Sequence, residues 1–356
     1  MNIRFSRHSN CGHGRILNNA ARPEGKVTKN QEHQYRSTAS TMKVFYLLLF
    51  SMVFLFASAA DAQNNDKKNV LFLGVRADAP PFSFFDREKE TPDKAKGYTV
   101  DLCRLIAERA VESGLYCSIE YKEINATDRF DALINGQIHL LCGATTVTLE
   151  RMRAADFSLF TFLSGASIMY LEANFKKDTP NNNTLMVGVL GNTTSENRAR
   201  QIAQNHQLKY DNFGLPKPRE VKVKPVDNHF QCLEMLKKRT IEAYVADREI
   251  LLALRQKDMQ PDNKTDIVVS EDYYTIEPYA IGIERGNSEL RYIANSVLSE
   301  LYGWESSGYR GEHIFTVLWR NFPRKRFSKS LEALYRFQRI SKGQELLKRP
   351  EKVKCP

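Results

Sequence analysis

Residues 97–141 read GYTVDLCRLIAERAVESGLYCSIEYKEINATDRFDALINGQIHLL, and the pattern of this stretch decides the fold. Leu102, Leu105 and Ile106 mark one face of an amphipathic helix that ends at Ser113-Gly114. Ser118–Lys122 has the alternating, β-branched and aromatic character of a strand. Phe130–Ile134 reads as a second helix closed by Asn135-Gly136, and Ile138–Leu141 as another short strand. Upstream, Val70–Val75 (VLFLGV) is an unbroken apolar run of the kind buried on both faces. Strand, helix, strand, helix, strand is the order of a parallel sheet with covering helices. Such sheets take ligands beyond the carboxyl ends of their strands.

Those strand ends carry the chemistry. The first runs into Arg76-Ala77-Asp78-Ala79-Pro80-Pro81-Phe82-Ser83-Phe84, read as a rigid turn rich in proline and aromatics. Phe82 and Phe84 are read as core residues. The third strand runs into Cys142-Gly143-Ala144-Thr145-Thr146, with Arg151 five residues further and Phe157-Ser158 behind it. Hydroxyls and free backbone groups beside a guanidinium suit a carboxylate, because the planar fork reaches both oxygens at once. A second α/β unit follows the apolar stretch Phe162–Leu171. There the strand Val187–Leu190 leads into Gly191-Asn192-Thr193-Thr194-Ser195-Glu196, which opens a helix. The N–H groups of a helix start suit an anion; Thr193 or Ser195 also suits the ordinary task of capping that helix. Val221–Val226 and Ala243–Ala246 read as strands flanking a helix at Phe230–Lys238, and the last strand ends at Asp247. Pro278–Glu284 is a further strand after a complete second unit, so the chain is expected to return to its first one. The expected division is residues 63–165 plus 279–356 as lobe 1, and 166–278 as lobe 2.

Composition sets outer limits. The 356 residues hold two ordinary domains, and 42% hydrophobic with 26% charged residues places most of the chain in the soluble globular class. Lys43, the apolar run Val44–Ala57 and the small residues through Ala62 spell a secretory signal peptide, residues 42–62. The run is shorter than the roughly 20 residues of a membrane span. Residues 1–41, polar and basic, read as an over-extended N-terminal segment ahead of a start at Met42. They carry +5 of the formal +10 net charge, which leaves the mature part too mildly basic to argue for nucleic acid. Export permits disulfides. Cys103, Cys117, Cys142, Cys232 and Cys355 are an odd set, so at least one thiol is free or pairs between chains. None forms a Cys-x-x-Cys pair, so no metal site is expected.

In this order the motifs resemble a known family, the bacterial extracellular solute-binding proteins of amino-acid transport (family 3), over residues 68–345. Gly97-Tyr98-Thr99-Val100-Asp101-Leu102 followed by Ile106-Ala107 is similar to the family signature, with Thr99 where an acidic residue is usual. Cys142–Thr146 with Glu150-Arg151 and Phe157-Ser158 resembles the glutamate/aspartate-binding branch. Asn192–Glu196 and Leu236–Asp247 resemble the family's second-domain turn and terminal aspartate. The resemblance implies an α/β type II periplasmic-binding fold, two lobes joined by a two-strand hinge. It implies a non-catalytic periplasmic receptor, monomeric and without cofactor, that closes on a free L-amino acid, glutamate or aspartate, and passes it to an inner-membrane ABC permease. Carried over by residue, Arg151 would hold the ligand α-carboxylate with Thr146 and the backbone of Thr193 and Thr194. Asp247 and the Ala144 carbonyl would take the α-ammonium. Arg76, aided by His229, would read the side chain. Two plainer readings stand beside this: Arg76 pairing with Asp78, and His229 on an exposed loop. Ala79 and Ala126 fall where some relatives place aromatic walls, leaving room for a bulkier ligand. The alternative function is a cyclohexadienyl-dehydratase-like enzyme on the same fold.

Overall fold

The computed structural model describes residues 70–86, 94–172, 184–211, 220–258, 266–303, 309–322 and 327–339. The expected signal peptide, the segment before it and Cys355 lie outside the described residues. The chain opens with β1 (Val70–Arg76), in which Leu71, Leu73 and Val75 are fully buried. The proline–aromatic stretch is more than a turn: it forms β2 (Asp78–Ala79) and β3 (Ser83–Phe85), joined by β4 (Ala95–Lys96) in a small antiparallel sheet. Gly97 makes this possible. Its φ of 124° is a conformation side chains resist, and a Cβ there would overlap the Phe82 carbonyl.

The first sheet and its helices continue with α1 (Tyr98–Glu112), β5 (Ser118–Ile124), α2 (Arg129–Ile134), β6 (Leu140–Cys142), a 3-10 turn at Arg151–Arg153 and β7 (Asp156–Ser164). The second comprises β8 (Ala166–Leu171), β9 (Thr184–Leu190), α3 (Thr194–Asp211), β10 (Glu220–Val226), α4 (His229–Lys237), β11 (Ala243–Asp247), α5 (Arg248–Asp258) and β12 (Ile267–Val269). The chain then returns as β13 (Glu277–Ile283), followed by α6 (Ser288–Leu301), α7 (Ile314–Asn321) and α8 (Lys329–Phe337). The sheets run β5-β1-β6-β13-β7 and β10-β9-β11-β8-β12.

Register decides which residues meet. In the first sheet β1 lies parallel to β5 and β6, with Arg76 opposite Ile124 and Val75 opposite Cys142. In the second, Leu190 stands opposite Val226 and Val189 opposite Val245. The carboxyl ends of three parallel strands therefore end level in each sheet, which is where loops can share one crevice.

The core of the first lobe includes a nest of rings. Phe82 meets Phe162, Tyr279 and Phe322 edge-on, with centroids 5.0, 5.0 and 5.5 Å away. A disulfide joins Cys103 of α1 to Cys142 at the end of β6, across 39 residues of chain. Cys117 is also disulfide-bonded, and Cys232 is a buried free thiol. Two crossings connect the sheets, one at Gly165 and the other between β12 and β13. They touch: a Cβ on Gly165 would overlap the Thr275 carbonyl oxygen of the returning crossing.

Candidate functional site

The residues singled out at the strand ends gather in one pocket. Arg76, Ala144, Thr146, Arg151, Thr193, Thr194, His229 and Asp247 all line it, with Arg129, Leu190, Ser195 and Ile250 among their neighbours.

On the side formed by Arg76 and His229, a buried ion pair of the first lobe receives a backbone N–H from the second. The Arg76 guanidinium donates to Asp78 Oδ1 from Nε at 3.1 Å and from its terminal nitrogen at 2.6 Å. Asp78 Oδ2 accepts the backbone N–H of His229 at 3.1 Å. Burial alone would raise the Asp78 pKa, but the charge and hydrogen bonds of Arg76 and His229 together outweigh it and hold the carboxyl below its usual range. Arg76 is therefore already engaged, as the plainer reading had it. His229 is not on an exposed loop. It is the first residue of α4, 3% exposed, behind an Asn228 cap whose side chain accepts the Gln231 N–H. Its Nδ1 bonds the Tyr244 hydroxyl, and its buried Nε2 has no partner. Burial, aided by Arg76 and Arg129, lowers its pKa to about 4, so the ring is neutral at pH 7. In the tautomer in which the Tyr244 hydroxyl donates to Nδ1, Nε2 carries the hydrogen and is a donor.

Arg129 was missed in the sequence. It opens α2, is 2% exposed, and donates from one terminal nitrogen to the Asn192 carbonyl of the other lobe at 3.1 Å. Asn192 sits at a φ of 56°, an αL geometry asparagine tolerates. The remaining nitrogens of Arg129, Nε and the other terminal one, are buried without acceptors. Among the described residues no carboxylate lies within hydrogen-bond reach of it. Burial, then the Arg76 and Arg151 cations, push its pKa well down. Such a group calls for an anion.

At the hinge side, Arg151 opens the 3-10 turn and donates to the Thr146 carbonyl at 2.8 Å, while its backbone N–H reaches the Thr148 hydroxyl at 3.1 Å. Burial lowers its pKa, opposed by Glu277 and Asp247. Thr146 is itself pinned by a bridge to Tyr279. Across the cleft, α3 does not use Thr193 as a side-chain cap: that hydroxyl donates back to the Leu190 carbonyl at 2.7 Å. The Thr194 hydroxyl donates to Glu277 at 3.0 Å, so the start of α3 faces the pocket with backbone N–H groups to offer. Asp247 accepts the Tyr279 hydroxyl through Oδ2, and its buried Oδ1 has no partner. Burial, then Glu277, raise its pKa to about 7.

Ala79 and Ala126 are buried but do not line this pocket. Ala126 borders a separate cleft of about 700 Å³ with Phe84, Phe85, Phe230 and Lys257. Phe84 is therefore a cleft wall rather than a core residue, whereas Phe82 is fully buried.

Two α/β lobes with unpartnered buried donors and an acceptor lining a pocket between them are the frame of a solute-binding receptor. Residues 71–304 match the bacterial extracellular solute-binding proteins, family 3, and the chain belongs to that family. It is 26% identical over 219 residues to a glutamine-binding protein of Geobacillus stearothermophilus, covering 61% of this chain and 73% of the relative. It is 24% identical over 237 residues to a glutamate/aspartate import solute-binding protein of Salmonella typhimurium, covering 66% and 72%. An ancestral arginine-binding protein bound to arginine has a similar structure, with a TM-score of 0.54, 26% identity and coverage of 71% and 98%. The fold is the type II periplasmic-binding fold, with two lobes and a two-strand hinge.

Proposed function

We propose that this chain is the periplasmic receptor for an acidic amino acid, glutamate or aspartate, and hands it to an ABC permease. Its relatives carry names that speak of glutamine, glutamate/aspartate and arginine, so family alone leaves the side chain open. The charges of the pocket support an acidic side chain, and Arg129 carries the argument. Arg76 is neutralised by Asp78, and Arg151 faces the carboxylates at the hinge. Arg129 keeps two buried nitrogens without acceptors, next to the unpartnered Nε2 of His229. A side-chain carboxylate satisfies both, and a basic side chain there meets like charge.

The rest of the ligand follows by charge. Arg151 and the start of α3 take the α-carboxylate; Asp247 Oδ1 takes the α-ammonium, beside the Ala144 carbonyl. Arg151 comes from one lobe and Asp247 from the other, so the ligand bridges them and favours closure by its differential contacts. A thermal-shift screen of the twenty amino acids and small dicarboxylates tests the reading. At 1,000-fold excess over the dissociation constant, glutamate or aspartate should stabilise the fold by about 4 kcal/mol. Stabilisation by lysine or arginine and not by glutamate or aspartate would sink the acidic ligand. Incubated with prephenate, the protein should leave it unconsumed; turnover would favour the dehydratase-like alternative.

A further inference from the structure

Three carboxyl groups from separate parts of the chain converge where the lobes join. Asp247 ends β11, Glu249 lies in the first turn of α5, and Glu277 opens β13. Glu249 and Glu277 are each 3% exposed. Glu277 accepts the hydroxyls of Thr194 at 3.0 Å and Thr275 at 2.8 Å; Glu249 accepts those of Tyr273, at 2.7 Å, and Ser164. Through these bonds Glu249 holds both hinge crossings, and Glu277 ties the hinge to the start of α3. Asp247 has one hydrogen bond, from the Tyr279 hydroxyl, and a bare Oδ1. The groups acting on it are Glu277 and Tyr279 from β13, Glu249 from α5, and Arg151 from the turn after β6. Like charges this close, out of water, do not all ionise without a further cation.

The geometry points to Glu277 as a positioning residue that keeps a proton on Asp247 while the site is empty, a proton released to solvent when the ligand ammonium arrives. This rests on the reading of Asp247 as the ammonium partner, and not on the acidity of the ligand side chain. The proton balance is simple. The neutral Asp247 carboxyl and the ligand ammonium become a carboxylate–ammonium pair, and one H⁺ leaves. Burial, then Glu277, set the empty Asp247 at about 7, while the Tyr279 hydrogen bond and Arg151 pull it the other way. Below that pH the proton must be displaced, so affinity falls about tenfold per pH unit; above it, affinity is flat. His229, held at about 4, stays neutral over this range.

Calorimetric titrations from pH 5.5 to 8.5 with L-glutamate, L-aspartate, L-glutamine and L-arginine, in two buffers of different ionisation enthalpy, test this. A side-chain carboxylate, with a pKa of about 4.3, does not titrate in that window. For whichever amino acid binds, we expect close to one proton released at pH 5.5, almost none at pH 8.5, and a break in affinity near pH 7. Glu277→Gln should move the break toward acid, because a neighbouring negative charge is gone. Tyr279→Phe should move it toward alkali, because Asp247 loses its donor. A flat profile without proton release overturns the proposal, as does an equal loss of affinity at every pH in both variants. Binding of glutamine or arginine alone, with the break present, sinks the acidic-ligand reading and leaves this one standing. If none of the four binds, both fall.

Discussion

The two ends of the pocket solve opposite problems. Toward the hinge, Asp247, Glu249 and Glu277 crowd carboxyl groups together, and Arg151 is the nearby cation. Toward Arg76 and His229, the guanidinium groups of Arg76 and Arg129 accumulate around a histidine that burial keeps neutral. Each end is electrostatically incomplete alone, and each leaves a particular atom unpartnered: Asp247 Oδ1 at one, the Arg129 nitrogens at the other. The hinge end asks only for an ammonium and a carboxylate, which every amino acid brings. The far end asks for something particular. Affinity should therefore be rooted at the hinge and specificity at Arg129.

Arg151→Ala is the most damaging way to break the hinge end. It should cost about 2–5 kcal/mol of binding to whichever amino acid the protein takes, read by calorimetry, because the ligand α-carboxylate loses its guanidinium partner. A loss under threefold would remove Arg151 from the carboxylate clamp. Cys103→Ala with Cys142→Ala should lower stability by about 4 kcal/mol in urea, as expected for a bridge closing 39 residues. Because Cys142 leads directly into Gly143–Thr146, it also tests how firmly that turn is held. We expect affinity within threefold of the parent once the variant is folded. His229→Gln should cost the least, about 1 kcal/mol of glutamate affinity, the worth of one hydrogen bond. Between pH 5.5 and 8.5 that cost should be constant, since the ring it replaces titrates near 4.

What was legible in the sequence follows the same division. Arg76, the Ala144–Thr146 turn, Thr193–Thr194 and Asp247 stand directly after apolar strand runs, and parallel register brings strand ends level. Position along the chain was enough to place them. Arg129 offered no such sign. Beside Asp128 at the start of a short helix it looks like an ordinary first-turn charge, and only the Asn192 carbonyl, 63 residues away, reveals it as buried. Glu277 is hidden in the same way, because its partner Thr194 lies 83 residues off. The stretch holding β2 and β3 reads as a turn because those strands are two and three residues long, too short for any alternation to register. The plainer alternative for His229, an exposed loop, fails because the residue is buried and its backbone N–H is held by Asp78, 151 residues away in the other lobe.

The most direct measurement is the ratio of glutamate to glutamine affinity in the parent protein and in Arg129→Met. In the proposed placement the two ligands share every atom that the hinge end grips and differ only in the group facing Arg129. The parent should prefer glutamate by at least tenfold. The variant should lose about 2–5 kcal/mol toward glutamate and little toward glutamine, so that the preference vanishes or reverses. An unchanged ratio, with both ligands weakened alike or neither affected, would contradict Arg129 as the source of acidic specificity.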